Sequence, residues 1–341
     1  MKALLGDLVN IKTGKLDANQ ADENGKYPFF TCSKEISKIN SYSYDCECVL
    51  IAGNGDLNVK YYNGKFEAYQ RTYILTSTDV NTLSNKYLYW FMNRYIVQLR
   101  NQSIGGVIKY IKLGDLTNIT LNLPTLDVQR RIVEIFESIE RLIETKVFIL
   151  KGLDDLIKSR FVELFGDINH NTKNWPIMTL EDLAELITDG EHSTPKRCND
   201  GIYLLSARNV LNHSLKLDDV DYIDEAEYDR ISKRVIPKAG DILLSCSGSV
   251  GRCCITPMEI KFQLVRSVAL IRFKSEITPI FAEYMITSDW FQRQINSLKT
   301  ASSQANLFQG KIKKLKGFVP DMNLQYDFIQ FVNQINKLKF D

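Results

Sequence analysis

The 341-residue chain has no run of eighteen apolar residues, so no segment reads as a membrane-spanning helix. Its start, MKALLGDLVNIKTGK, has no sustained apolar core before a small-residue cleavage site, and no secretory signal is read there. Cysteine occurs seven times, an odd number, at Cys32, Cys46, Cys48, Cys198, Cys246, Cys253 and Cys254, with no CxxC pair. The three histidines (His170, His192 and His213) have no ligand spacing around them. A metal site is therefore not expected, whereas reduced and mostly buried thiols in a cytoplasmic protein are. Catalytic motifs are missing too. No GxxxxGK[ST] loop occurs, since Gly25-Lys26 and Gly64-Lys65 lack the upstream glycine and the following hydroxyl. Gly53-Asn54-Gly55 does not continue as GxGxxG, and no [ND]PP[YFW] loop of the amino-methyltransferase kind is present. Ser245, Ser247 and Ser249, beside Gly248 and Gly251, read as a strand-to-turn loop that needs small residues rather than as a nucleophile. No catalytic residue is expected.

What is present is a globular composition, 44% hydrophobic and 25% charged, on a chain long enough for two cores. A net charge of +2 neither demands nor excludes a nucleic-acid partner, because distribution matters more than sum.

The chain repeats itself. PTLDVQRRIVEIFESIERL (124–142) aligns without a gap with PDMNLQYDFIQFVNQINKL (320–338). Pro124/Pro320, Gln129/Gln325, Ile139/Ile335 and Leu142/Leu338 are identical, and all eight apolar positions of the first copy are apolar in the second. Ile132, Ile135, Ile139, Leu142, Ile149, Leu153 and Leu156 follow an alternating 3–4 spacing broken only at Lys146, which predicts a long helix with a coiled-coil seam. Phe328, Phe331, Ile335 and Leu338 take the same phase in the second copy, so one seam is the expected partner of the other. At about 1.5 Å per residue the first helix would be a rod of roughly 60 Å.

The repeat extends upstream of each helix. ECVLIAGNG (47–55) echoes DILLSCSG (241–248), an apolar strand entering a glycine-bearing loop. Arg71 in YQRTYILT is matched with Arg266 in LVRSVALI, each opening a strand. NKYLYWFMNRYIVQL (85–99) and PIFAEYMITSDWFQRQI (279–295) both read as amphipathic helices, and YIKLGDL aligns with NLFQGKI so that Gly114 faces Gly310. The second unit carries extra residues, including 196–230. The expected fold class is α+β, two α/β globular units in tandem joined by long helices that pack side by side as a coiled coil. The expected boundaries are 1–123, a spacer helix at 124–166, 167–319, and a short distal helix at 320–341.

Charge is separated within the second unit. Residues 217–229 hold seven acids and no base, whereas 290–319 hold six bases and no acid. The polar run 300–306 beside those bases, and its counterpart NQSIGGVIKY (101–110), suit contact with phosphates and base edges. The candidate DNA-binding residues are Lys15, Asn54, Lys60, Arg71, Gln102 and Lys109 in the first unit. In the second they are Arg197, Arg208, Ser247, Ser249, Arg252, Arg266, Ser303, Gln304, Asn306 and Lys311.

This arrangement resembles the specificity (S) subunit of type I restriction–modification systems. The resemblance rests on the helix start at Pro124, Leu126, Gln129 and Ile132, on its second copy at Pro320, and on the loop at 240–251. It implies two α/β target-recognition domains in tandem, each reading half of a split double-stranded DNA sequence, joined by long helices that form an antiparallel coiled coil and set the spacing. It also implies partners docked on those helices: two methyltransferase subunits that bind S-adenosylmethionine, and restriction subunits that use ATP and magnesium. The chain itself would hold no cofactor, catalyse nothing, and act in the bacterial or archaeal cytoplasm in phage defence and DNA methylation. In one respect the chain departs from the family. Its second helix stops at Asp341, which implies that Ile149 to Leu164 lack their intramolecular partner and that self-association through the rod is possible. Two other readings stay open: a self-assembling coiled-coil protein that binds something other than DNA, and the recognition module of a related restriction enzyme.

Overall fold

The computed structural model describes residues 2–258, 260–300 and 305–340. It divides into two compact units, Met1–Val147 and Phe148–Asp341.

The first unit is built on β1 (Val9–Thr13), β2 (Tyr27–Phe30), β3 (Ser37–Ile39), β4 (Tyr44–Ala52), β5 (Val59–Ala68) and β6 (Thr72–Ser77). These lie in the order β1-β6-β4-β5-β2-β3, antiparallel except where β2 runs parallel to β5. Residues on β4 alternate between two cores. Cys48 and Leu50 pack with Phe30, Phe66 and Ile74, while Val49 and Ile51 pack with Leu75 and with Leu88, Met92 and Ile96 of α1 (Asn85–Gln102). A sheet covered on both faces explains why VLIA is unbroken by polar residues. Lys2–Leu4 pairs with Thr120–Asn122 and delivers the chain to α2 (Leu126–Phe165), whose first turns add Val133 to the same core.

The second unit repeats this frame. Strands β7 (Ala184–Asp189), β8 (Ile202–Leu205), β9 (Asp221–Ile223), β10 (Ile242–Ser245), β11 (Cys253–Ile255), β12 (Phe262–Leu264) and β13 (Val268–Phe273) form two sheets, in the orders β7-β13-β10-β11 and β9-β8-β12. Helix α3 (Glu225–Ser232) belongs to the extra segment that the sequence places only here. The expected single helix over 279–295 is two, α4 (Pro279–Thr287) and α5 (Asp289–Leu298). Ser288 breaks it by taking extended backbone, and its Oγ accepts a 3.4 Å hydrogen bond from the Phe291 amide. The chain closes with α6 (Met322–Phe340).

Backbone hydrogen bonds fix how the two units correspond. Gly14 N donates to Thr72 O at 3.1 Å and Gly190 N to Val268 O at 3.1 Å. Gly53 N donates to Arg71 O and Cys246 N to Ser267 O, both at 2.8 Å. Arg71 is therefore the counterpart of Ser267, and Gln70, the residue before it, is the counterpart of Arg266. The match of Arg71 to Arg266 is thus off by one residue, and in extended backbone a slip of one turns a side chain to the opposite face. The glycines at 14 and 190 are a shared requirement. A Cβ would lie 2.1 Å from Ala68 O in one unit and 2.3 Å from Leu264 O in the other.

The rod also needs correction. In the second unit α6 packs on the last turns of α2 and runs opposite to it: Lys339 reaches Asp154 at 2.5 Å, Arg160 lies over the Phe331 ring, and Phe161 meets Phe328 with centroids 5.3 Å apart. Ile157, Phe161 and Phe165 are buried there with Phe281, Phe318 and Phe328. The segment that the sequence reading left bare, Ile149 to Leu164, is thus largely the partnered one. An antiparallel return sets a following helix against the end of the preceding one, not its start. Leu156 and Leu338, placed on the seam, are 47% and 56% exposed, and Ile157 and Val332 take the inward positions instead. Ile135, Ile139, Leu142 and Ile149 are also exposed, Leu153 is half-buried, and Ile132 is half-buried against the first unit's core.

Candidate nucleic-acid interface

Each unit joins its loops in the same way, the loop after the central strand (53–55 and 246–248) pairing with residues 109–111 and 305–307. In the second unit Ser247 and Asn306 form an isolated antiparallel bridge; in the first, Asn54 and Tyr110 do. Gly248 N donates to Ala305 O at 3.1 Å, and Gly55 N to Lys109 O at 2.9 Å. Leu307 N donates to Cys246 O at 2.9 Å, and Ile111 N to Gly53 O at 3.0 Å. One backbone frame therefore carries two different side-chain sets: Asn54, Gln70, Arg71 and Tyr110 against Ser247, Arg266, Ser267 and Asn306.

A cleft of about 400 Å³ opens beside this frame in the second unit, lined among others by Asp189, His192, Ser247, Arg266, Asn306 and Gln309. It brings together Ser247, Arg266 and Asn306, which the sequence singled out, with Asp189, His192 and Gln309, which it did not. Arg266 is exposed and, among the described residues, its guanidinium has no hydrogen-bond or ion-pair partner. Asp189 is occupied by Arg234 at 2.5 Å and by His192 Nε2 at 2.9 Å. The Gln309 amide is spent on Ile187 O at 2.5 Å.

The first unit has its own cleft, about 750 Å³, lined by Lys12, Thr13, Lys15, Tyr44, Tyr73 and Leu113 among others. Lys12 and Lys15 are exposed there. Tyr44 donates to Thr13 O at 3.0 Å, and burial pushes its phenol up, with the Glu67 carboxylate and Cys46 adding to the rise. Tyr73 donates to Ile111 O at 3.2 Å. Both rims thus offer cations and polar atoms, but of different identity.

The remaining candidates are scattered. Arg71 is exposed with no side-chain partner among the described residues, and Gln102 and Lys109 are exposed. Lys60 is half-buried, donating to Ser33 O at 2.6 Å and to Asn58 Oδ1, and burial lowers its pKa. Its ammonium is therefore turned inward rather than toward a phosphate. Arg197 and Arg208 both bind Asp221, at 2.9 and 3.0 Å. Burial would raise that carboxyl, but the two guanidiniums outweigh it and hold it below the usual range. The acidic run thus serves as an internal clamp of the extra lobe. Ser249 is exposed, and its carbonyl accepts from Ser245 Oγ at 2.6 Å; that same oxygen takes the Arg252 amide at 2.9 Å. Ser245 therefore closes the loop, as the small-residue reading implies. Lys311 is exposed. Ser303 and Gln304 lie outside the described residues.

Sequence reasoning missed the roles of Gln129 and Gln325, although both stand out as identities in the repeat. Both are fully buried. Gln129 Oε1 accepts from Ser84 N at 2.9 Å, and its Nε2 donates to Thr82 O at 2.8 Å and Pro124 O at 3.0 Å. Gln325 does the same with Thr278 N at 2.9 Å, Glu276 O at 2.8 Å and Pro320 O at 3.1 Å. Each glutamine ties the start of a long helix to the loop that opens α1 or α4.

A duplicated α/β unit, each copy ending in a clamped helix and presenting a polar loop cleft, defines a tandem-repeat protein. The chain belongs to the family described as type I restriction modification DNA specificity domain, which it matches at residues 2–153 and again at 172–340. It is 40% identical over 174 residues to the type I restriction enzyme EcoDI specificity subunit of Escherichia coli, an alignment covering 50% of this chain and 38% of that protein. It is 21% identical to the MjaVIII specificity subunit of Methanocaldococcus jannaschii, across 98% of this chain and 85% of that one. Among solved structures, the S subunit of a type I restriction–modification system from M. genitalium superposes with a TM-score of 0.61 at 16% identity, covering 99% of this chain and 90% of that one. A chain from a structure concerned with complex assembly of the type I R-M system gives a TM-score of 0.56 at 14% identity, and with the first it supports the shared fold.

Proposed function

We propose that this chain is the DNA sequence-recognition subunit of a type I restriction–modification complex and reads a split, asymmetric target, one half per unit. The observation that carries this is the shared backbone frame with different side chains at Asn54/Ser247, Gln70/Arg266 and Tyr110/Asn306. Equal frames present their residues to a duplex in the same way, and unequal residues read unequal bases. Base contacts from Arg and Gln, held by phosphate contacts from Lys12, Lys15 and Lys109, give both affinity and sequence choice.

The chain would catalyse nothing itself and hold no cofactor. S-adenosylmethionine would bind to modification subunits, and ATP and magnesium to restriction subunits, all in the cytoplasm of the host cell. The exposed apolar stripe of α2, with Ile135, Ile139, Leu142, Ile143 and Val147 each at least 45% exposed, supports docking of those subunits. The test is single-molecule methylome sequencing of host DNA with and without this gene, partner genes intact. Loss of N6-methyladenine at one split, asymmetric motif is the expected result, and an unchanged methylome would reject the proposal.

A further inference from the structure

The hairpin that follows α1 ends in an apolar tip with no place in the fold. Ile104 and Tyr110 exchange backbone hydrogen bonds of 3.1 and 2.8 Å, and the chain between them reads GGVIK. Val107 is 102% exposed and Ile108 62%. Neither joins a hydrophobic cluster of the first unit. The turn is fixed by its backbone: Gly105 sits at φ +118°, and a Cβ there would lie 2.4 Å from Ile108 O. Two β-branched residues at a glycine-bearing turn run against turn chemistry, in which small and polar residues serve better. The frame does not require them either, because the counterpart segment from Thr300 to Asn306 has the same length and reads TASSQAN.

The tip stands on the reading loop itself. Its base is stitched to that loop through Gly55 N to Lys109 O and Ile111 N to Gly53 O, and Gly53 in turn holds Arg71 O. Lys109 and Arg71 flank it, both exposed. Asp56, the acid of that loop, is already neutralised by Lys34 at 3.0 Å and Arg100 at 3.1 Å. An apolar point between cations that have no ion-pair partner among the described residues fits a duplex, whose phosphates meet the cations while an apolar side chain enters the base stack. A protein partner would need an apolar pocket rimmed with acids.

We propose that Val107 and Ile108 are a wedge that enters one base-pair step of the half-site bound by the first unit and unstacks it. This rests on the DNA-reading function above and goes beyond it by making recognition a deformation at one half only. Unstacking a step lowers the cost of extruding a neighbouring base, and burial of the two side chains offsets the loss of stacking.

The test uses the full chain and its split target, with 2-aminopurine placed in turn at each position of both halves. Wild-type protein is expected to raise the fluorescence at one step of one half. Val107→Ser with Ile108→Ser should abolish that rise and weaken binding roughly ten-fold, the effect of about one apolar side chain no longer buried. Its thermal unfolding should match wild type, because among the described residues neither side chain joins a hydrophobic cluster. Val107→Ile with Ile108→Leu should restore both signals. Unchanged fluorescence and affinity in the serine variant would overturn the wedge while leaving DNA recognition intact. So would a serine variant that keeps both but no longer co-purifies with modification subunits, which would make the tip a protein contact. A wild-type chain that binds no duplex would overturn the recognition reading, and the wedge with it.

Discussion

Gln129 and Gln325 show how much one buried amide can decide. Each satisfies one amide N–H and one carbonyl of the loop that opens α1 or α4, and one carbonyl at the start of its own helix. Removing the side chain strands those groups away from water, and a buried unsatisfied group costs about 1–3 kcal/mol. Gln129→Ala and Gln325→Ala should each lower stability by about that amount, whereas Gln102→Ala, at an exposed position, should change it by less than about 0.5 kcal/mol. Thermal unfolding decides between them; equal, small effects at all three sites would show that the clamp contributes nothing. The sequence displayed both glutamines as identities in a diverged repeat. It could not display their partners, because Thr82 and Glu276 enter the clamp through carbonyls, which any residue carries. The one-residue offset between Arg71 and Arg266 was hidden for a related reason. Two basic residues in similar strings align by type, and only the backbone bonds reveal which of them shares a position with Gln70.

At the scale of elements, α2 is one helix with two different surroundings. Its periodicity was legible, and so was its extent, but which half of its seam is covered depends on where the returning helix lands. The Phe161 ring meets four other phenylalanines, among them Phe281 at 5.8 Å and Phe328 at 5.3 Å between centroids. Phe161→Ala should cost about 3–5 kcal/mol, by loss of burial and the cavity left behind. Leu142→Ala, on an equally apolar but 69% exposed position, should cost at most about 0.5 kcal/mol in the isolated chain. Chemical denaturation of the two variants checks the contrast, and a large loss from Leu142→Ala would mean that the stripe is already covered, by a second copy for instance. The lobe inserted in the second unit depends on charge instead. Hydrogen bonds from Arg230, against some opposing burial, hold the Glu227 carboxyl at about 2, well below its usual 4.5. Ser193 and Arg230 lower Glu191 as well. A carboxyl depressed in the folded state stabilises at any pH above its unfolded value, and that contribution drains away as pH falls through the folded one. Between about pH 4.5 and 2, residues 196–235 should therefore exchange amide hydrogens faster before β10 and β13 do. Simultaneous loss of protection across both would remove this role from the acidic run.

For the whole molecule the repeat is the governing fact, and under the proposed function it makes recognition divisible. Two units with one backbone frame and separate cores can change one reading surface without disturbing the other. Arg266 stands on the second frame with its guanidinium uncommitted among the described residues, and a bidentate contact to a guanine edge discriminates by about 1–3 kcal/mol. Arg266→Ala should therefore relax base preference at positions of one half-site and leave every preference in the other half as it was. Measuring affinity for targets substituted base by base resolves the two halves. Relaxation in both halves would mean that Arg266 acts through the shared phosphate backbone, and relaxation in neither would remove it from the interface. The same logic runs in reverse at the offset pair. Because Gln70 occupies the position of Arg266, and Arg71 that of Ser267, Gln70→Arg with Arg71→Ser places the second unit's pair on the first unit's frame. That double variant should shift preference in the first unit's half from adenine toward guanine, as exchange of a glutamine for an arginine reader requires. General weakening with no change of preferred base would instead show that these two positions hold the duplex without reading it.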